Sequence, residues 1–452
     1  MPDTLEKRFE YHSHRDTAAD GLVLGHRLLH GQLRSDQPIV LPHHRRPEHL
    51  AILGKTGMGK SSLLRFLCEQ DIRDDRGFVF FDLHGDATPA LAQLISQEEQ
   101  RRGEDLSRKF VVFDPADRDF SIGINILEAD DDHQRYVQIA EVTRILRDRW
   151  HLDAFGGRTE ELLRNTLIVL QDNRLTVVEI GPLLVDPAFR ARCLSQTTNS
   201  EARIYFETRY NRLSPAAQAE YREPVLNKVS VFSADPHFRH ILGQHESTFQ
   251  LSEAVDARTW IIFNLDKGRL GEQAATLGSL LMTRLRHVLF ARRSRELVTL
   301  YCDELQNLVA LDRGIDHLFA EARKLGISVC AANQYLDQYP FEMRAAVLSV
   351  GTLLFFQLSA LDADRISSIY GNDAVVGFHL RTLPPRQFLA RVLTRLFERT
   401  GVPDLPTLDE VDPNDLLARS RMLWSERRSH IEEAIAARHG RATAAEALDG
   451  WN

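Results

Sequence analysis

The sequence predicts an α/β fold with a mostly parallel sheet, delivered in two blocks that an all-α insertion separates. Three observations carry that prediction. From His49 to about Glu128, short apolar runs (HLAIL at 49–53, FVFF at 78–81, FVVF at 110–113) alternate with helix-period stretches. Such continuous runs, rich in β-branched and aromatic residues, mark strands buried on both faces, and repeated β-α alternation implies right-handed crossovers. Between about Ala129 and Gln250 strand-like runs nearly vanish, and segments such as HQRYVQIAEVTRILRDRW and TEELLRNTLIVL follow a helical period. The strand pattern then resumes with TWIIFNL (259–265), LVTLYC (297–302), GISVCAA (326–332), GTLLFFQ (351–357) and QFLARVL (387–393).

The elements order into five segments: a short β-rich lead-in (1–46), a first core part (47–128), the helical insertion (129–250), a second core part (251–400) and a helical tail (401–452). At 452 residues, 43% of them hydrophobic, the chain is long enough for one large core and a satellite domain. The formal net charge of −8 gives no overall basic surface, so a nucleic-acid partner would have to meet a localised basic patch such as a pore lining. Cys68, Cys193, Cys302 and Cys330 lie far apart, a spacing that fits reduced, buried thiols of a cytoplasmic protein and argues against zinc or disulfides. The N-terminus MPDTLEKRFEYHSHRD is polar, and no window of about 18 uninterrupted apolar residues occurs. The expectation is a soluble chain without a membrane span, recruited to a membrane only through a partner.

The most specific motif is GKTGMGKSS, residues 54–62. Gly54, Gly59, Lys60 and Ser61 satisfy Gly-x-x-x-x-Gly-Lys-[Ser/Thr], and Lys55, Thr56, Gly57, Met58 and Ser62 complete the loop. It follows a strand and opens a helix, so its backbone N–H groups and the positive helix end face one anion. ATP is the expected ligand, with Lys60 on the β and γ phosphates and the Ser61 hydroxyl on Mg2+.

Three apolar runs end in an acid: FVFFD (Asp82), FVVFD (Asp114) and LVTLYCDE (Asp303, Glu304). Hydrolysis needs one carboxylate to order the metal's water shell and a second to polarise the attacking water, and only the last run supplies both. Asp303 is therefore expected at the metal and Glu304 at the water. Asp82, His84 and Asp86 either flank the site or form a capped turn. Gln334, just after GISVCAAN, could donate to the γ phosphate and orient water, with Asn333 as its rival. Arg323 is either a helix-end surface charge or a finger that reaches a neighbouring subunit's nucleotide.

Taken together, GKTGMGKSS, FFDLHGD, FDPADRDFSIGINILE, TEELLRN, PVLNKVSVF, IIFNLDKGRLGE, LYCDELQNL, EARKLGISVCAANQYLDQ and GTLLFFQL resemble the HerA/FtsK class of motor ATPases. The likeness is strongest to the TraG/TraD-like coupling proteins of type IV secretion and covers most of residues 46–395. It implies a RecA-like core of the additional-strand type, a hexameric ring with ATP between subunits, and DNA moved through the pore. It assigns hydrolysis to Lys60, Asp303, Glu304, Gln334 and Arg323, and it likens the helical insertion to the all-α domain that meets relaxase cargo. The membrane helices of anchored coupling proteins and the longer β-barrel of HerA proteins are not matched here. The expected activity is DNA translocation for conjugative transfer. The alternatives are a HerA-type motor that works with a nuclease, and a protein that uses nucleotide only to set its assembly.

The basic stretches RLRHVLFARRSREL (284–297) and KGRLG (267–271) could line a DNA channel or form a solvated helix face. HHRRPEH (43–49) reads as a polar loop from which Arg45 or Arg46 could touch nucleotide or a neighbour.

Overall fold

A computed structural model describes residues 20–29, 31–128, 132–150, 157–271, 273–309, 319, 321–371, 373–404 and 411–440. The reading of the extreme N-terminus and the last part of the helical tail lie outside these residues. The chain forms two compact units: one from residues up to Val112, Leu251–Gly278 and Arg286–Ser420, the other from Phe113–Gln250, Ser279–Leu285 and residues from Arg421 on.

The strands, in chain order, are β1 (Gly21–Leu29), β2 (Gln32–Pro42), β3 (Leu50–Leu53), β4 (Phe78–Asp82), β5 (Phe110–Phe113), β6 (Phe120–Ser121) and β7 (Trp260–Asn264). They continue with β8 (Val298–Asp303), β9 (Ile327–Asn333), β10 (Thr352–Phe355), β11 (Gln387–Val392), β12 (Glu398–Gly401) and β13 (Glu426–Arg427). Eleven of them make one sheet in the order β2-β1-β12-β11-β10-β3-β9-β8-β4-β7-β5. From β10 through β3, β9, β8 and β4 to β7 every pairing is parallel. These are the continuous apolar runs of the sequence, and every residue of β3, β4, β7, β8, β9 and β10 is buried, as a sheet covered on both faces requires. Strand β9 is inserted between the phosphate-loop strand β3 and the acid-bearing β8, the additional-strand arrangement.

The other end of the sheet is antiparallel, from β10 through β11 and β12 to β1 and β2. Strand β12 carries the sequence ERTG, which has no apolar run, so only its pairing to β11 and β1 makes it a strand.

One reading of the lead-in is corrected. Arg46 belongs not to an exposed loop but to a 3-10 turn, His43–Glu48, where it is 1% exposed. Its guanidinium grips both carboxylate oxygens of Asp71 at 2.6 and 2.7 Å and donates to the hydroxyls of Thr299 at 2.7 Å and Tyr301 at 3.2 Å. Tyr301 in turn donates to Asp71 at 2.7 Å. A charge that finds a buried bidentate partner can leave the surface. The network ties the last turns of the phosphate-loop helix, Lys60–Arg73, to β8.

The second unit is mainly helical, with Asp132–Trp150, Gly157–Asp172 and Pro215–Ala234 as its longest helices. Its short ribbon joins β6 to β13. The helix Arg428–His439 returns to pack Ile431 and Ile435 on Val178. It also places Arg438 and His439 at 3.0 and 3.2 Å from Glu179, which is completely buried. All four cysteines are buried and unbridged. Among the described residues no helix is long and apolar enough to cross a membrane.

Candidate active site

Phosphate-loop residues, the paired acids and Gln334 converge at the carboxyl ends of β3, β4, β8 and β9, around a cleft of about 380 Å³. That edge is where parallel α/β sheets hold their ligands, because helix starts and loop N–H groups meet there. The loop is anchored on both sides: Gly54 N–H donates to Asn333 O at 3.1 Å, and Lys55 N–H to Gln357 O at 2.9 Å. A Cβ at Gly54 would lie 2.4 Å from Phe356 Cβ, so only glycine fits. Gly57 and Gly59 take φ of 77° and 104°, which turns successive N–H groups toward one point.

Lys60 is nearly buried, and its ammonium donates to the carbonyls of Gly54 at 2.7 Å and Lys55 at 3.1 Å. Burial pulls its pKa down while Asp303 and Glu304 oppose the fall. The Ser61 hydroxyl donates to Asp303 Oδ2 at 3.1 Å. Burial pushes the Asp303 carboxyl up, against His84, Ser61 and Lys60.

These groups fit a nucleotide phosphate and a magnesium ion. The cradle of N–H groups and a poised lysine suits the anion, and a hydroxyl beside a carboxylate supplies hard oxygen ligands for a cation that keeps several waters. Among the described residues no cluster of three or more His, Cys, Asp or Glu side chains could hold a metal ion unaided.

Glu304 follows β8 with φ of 60°, an uncommon conformation for a side chain of this size. Its Oε1 accepts from Gln334 Nε2 at 2.8 Å and lies 3.4 Å from His84 Nε2. Its Oε2 accepts from Asn307 Nδ2 at 2.9 Å and from Lys267 Nζ at 3.4 Å. The bond to His84, together with Lys267 and Gln334, outweighs burial and holds the carboxyl at about 2. The same pair raises His84 above the usual imidazole range, with the Glu304 bond as the main cause.

The structure thus brings Lys60, Ser61, Asp303, Glu304 and Gln334 together. Asn333 is absent from the cleft because its side chain is engaged by Gln306 and the Tyr339 hydroxyl. The FFDLHGD triplet divides by role. Asp82 is a buried cap that accepts from the N–H groups of Gly85 and Thr88, both at 2.8 Å, and from the Thr88 hydroxyl at 2.7 Å. His84 lines the cleft, and Asp86 pairs outward with Arg65 at 2.9 Å. Asp114 caps its own turn through Ala116 N–H at 2.9 Å.

Arg323 is not brought to this cleft. It precedes β9, at the opposite end of that strand from Gln334, and pairs with Glu48 at 3.1 Å. In the basic run, Arg292 is buried against Asp256 at 2.8 Å. Two site residues escaped the sequence reading. Lys267 stood only as part of a charged stretch, although it comes three residues after a buried strand; Asn307, three residues after Glu304, carried no signal of its own.

Residues 31–167 match the family model of the central domain of the helicase HerA. Among curated proteins, no sequence matches the chain. The fold is shared with the plasmid coupling protein TrwB in complex with a non-hydrolysable ATP analogue, at a TM-score of 0.59 and 17% identity over 91% of this chain and 94% of that one. The same protein with ADP and Mg2+ gives 0.55 and 18% over the same shares. VirB4 of Thermoanaerobacter pseudethanolicus gives 0.58 and 14% over 86% of this chain and 98% of its own. The additional-strand sheet, the phosphate loop and the paired acids thus stand in a fold that this chain shares with TrwB and VirB4, and residues 31–167 are similar to the HerA central domain.

Proposed function

We propose that the chain is a Mg2+-dependent ATPase that drives DNA through a homo-oligomeric, hexameric ring during conjugative or other mobile-element transfer. The observation that carries this reading is the arrangement of Glu304, Gln334 and Asp303 across one cleft from Lys60 and Ser61. Lys60 neutralises the β and γ phosphates, and the loop N–H groups orient them. Ser61 and Asp303 hold Mg2+, which supplies charge neutralisation on the phosphate oxygens. Glu304 accepts a proton from the attacking water, and Gln334, bonded to Glu304, reports on the γ phosphate.

Arg323 completes the site from a neighbouring subunit. Its place at the far end of β9 puts it out of reach of its own phosphate loop and suits action in trans. A ring so built accepts DNA, and relaxase or type IV secretion components are the partners that go with this reading, since the fold is shared with a plasmid coupling protein and with VirB4. The location that goes with this reading is the cytoplasm, with recruitment to the membrane through such a partner.

The test is steady-state ATP hydrolysis with and without single- and double-stranded DNA. Wild type is expected to be stimulated by DNA. Lys60→Ala should be inactive, and Glu304→Gln should lose about 100-fold or more in kcat while it still binds nucleotide. A wild type that hydrolyses no ATP under either condition refutes the proposal. The match to the HerA central domain favours a second reading, a motor coupled to a nuclease, and co-purification of a nuclease instead of relaxase would select it.

A further inference from the structure

Glu304 is surrounded more completely than a general base can tolerate during turnover. A carboxylate offers about four acceptor positions, and four donors face this one: Gln334 and His84 at Oε1, Asn307 and Lys267 at Oε2. A water can give its proton to Glu304 only after one donor withdraws. The two amides sit at 2.8 and 2.9 Å, whereas the two cationic side chains stand at 3.4 Å. Both cationic side chains reach solvent, His84 at 50% and Lys267 at 34% exposure.

Both cations are carried on turns that are fastened together. Leu265 N–H donates to Asp82 O at 2.7 Å and Lys267 N–H to Leu83 O at 3.1 Å, so the His84 turn and the Lys267 turn form one platform beside the acid. Asp82 pins the His84 turn from below, and a Cβ on Gly85 would come within 3.0 Å of Asp266. His84 lines the phosphate cleft, where a phosphate oxygen can draw it away; Lys267 does not line it, and among the described residues its ammonium pairs with Glu304.

We propose that Lys267 is a positioning residue that restrains Glu304, so that its grip on Oε2 limits the rate of hydrolysis. This rests on the ATPase reading above. Lys267 acts through the carboxylate and touches no phosphate, so its removal changes kcat and leaves KM for ATP in place.

The experiment compares DNA-free ATP hydrolysis by full-length wild type, Lys267→Met and Lys267→Arg. Lys267→Met is expected to raise kcat about threefold to fivefold, the scale of a partly exposed ion pair, with KM unchanged. Lys267→Arg, which keeps the charge, should return to the wild-type rate. An active wild type with a Lys267→Met rate equal to or below its own overturns this proposal alone. The same holds if KM moves with kcat or if Lys267→Arg behaves like Lys267→Met. A wild type that hydrolyses no ATP overturns the hydrolysis reading and this proposal with it.

Discussion

Replacing Arg46 with methionine should destabilise the sheet unit by about 3–5 kcal/mol, the usual cost of leaving a buried charge without its partner. Arg46 and Asp71 are each 1% exposed. Without the guanidinium, Asp71 loses its bonds at 2.6 and 2.7 Å and keeps the Tyr301 hydroxyl at 2.7 Å, while Thr299 loses a partner as well. Burial disfavours the Arg46 charge, but the adjacent Asp71 carboxylate outweighs it and holds the guanidinium above its ordinary pKa. The strain of the variant therefore falls on the acid that remains. Removing both charges in Arg46→Met/Asp71→Leu should bring stability back to within about 1–2 kcal/mol of wild type. The assay is urea unfolding of all four members of the cycle, followed by fluorescence. Replacing Trp150, Trp424 and Trp451 with phenylalanine leaves Trp260, buried in β7, as the reporter of the sheet. With a slope of about 3 kcal/mol per molar urea, the Arg46→Met midpoint should fall by somewhat more than 1 M. A fall of less than about 0.3 M, or a double variant no better than the single, would refute the reasoning.

Two further outcomes follow from buried acids. Burial pushes the Glu179 carboxyl up, yet bonds from His439, Arg438 and Thr176 outweigh it and hold the group below its ordinary range. A depressed folded pKa gives stability that is present above the unfolded value of about 4.3 and is lost as pH falls through the folded one. Glu179→Gln should thus lower the stability of the helical unit by about 1–3 kcal/mol at pH 7 and converge with wild type below about pH 4, as thermal melts across that range would show. Asp82→Asn turns an amide N–H2 toward Thr88 N–H or Gly85 N–H in place of an acceptor. It should destabilise the sheet unit by about 1–3 kcal/mol in urea unfolding while calorimetry finds nucleotide affinity retained, since Asp82 is buried and the loosened turn carries His84 and not the phosphate loop.

The parallel centre of the fold was legible because burial on both faces writes itself as uninterrupted apolar runs, and β3, β4, β7, β8, β9 and β10 all carry one. The loop and the acid pair were legible because Lys60–Ser61 and Asp303–Glu304 are contiguous in sequence. Arg46 was misread because a polar loop and a buried ion pair look alike until Asp71, 25 residues away, is seen to face it. Strand β12 is created by its neighbours, since ERTG has no pattern of its own. Lys267 was hidden for a related reason: a lysine in a charged stretch acquires a role only when the sheet sets β7 two strands from β8.

The insertion of β9 makes strand parity a determinant of chemistry. Neighbouring strands lie about 4.8 Å apart, so one intervening strand opens a gap of about 10 Å between the phosphate-loop strand and the acid-bearing strand. Successive side chains on an extended strand face opposite ways. At the end of β9 the odd-numbered Asn333 turns to Tyr339 and Gln306, and the even-numbered Gln334 turns to Glu304. Losing or gaining one residue inside β9 would leave every apolar side chain in an equally apolar surrounding, since all seven positions are buried. It would nevertheless exchange the amide that meets Glu304. The hydrophobic pattern tolerates that slip, and the geometry of the cleft does not.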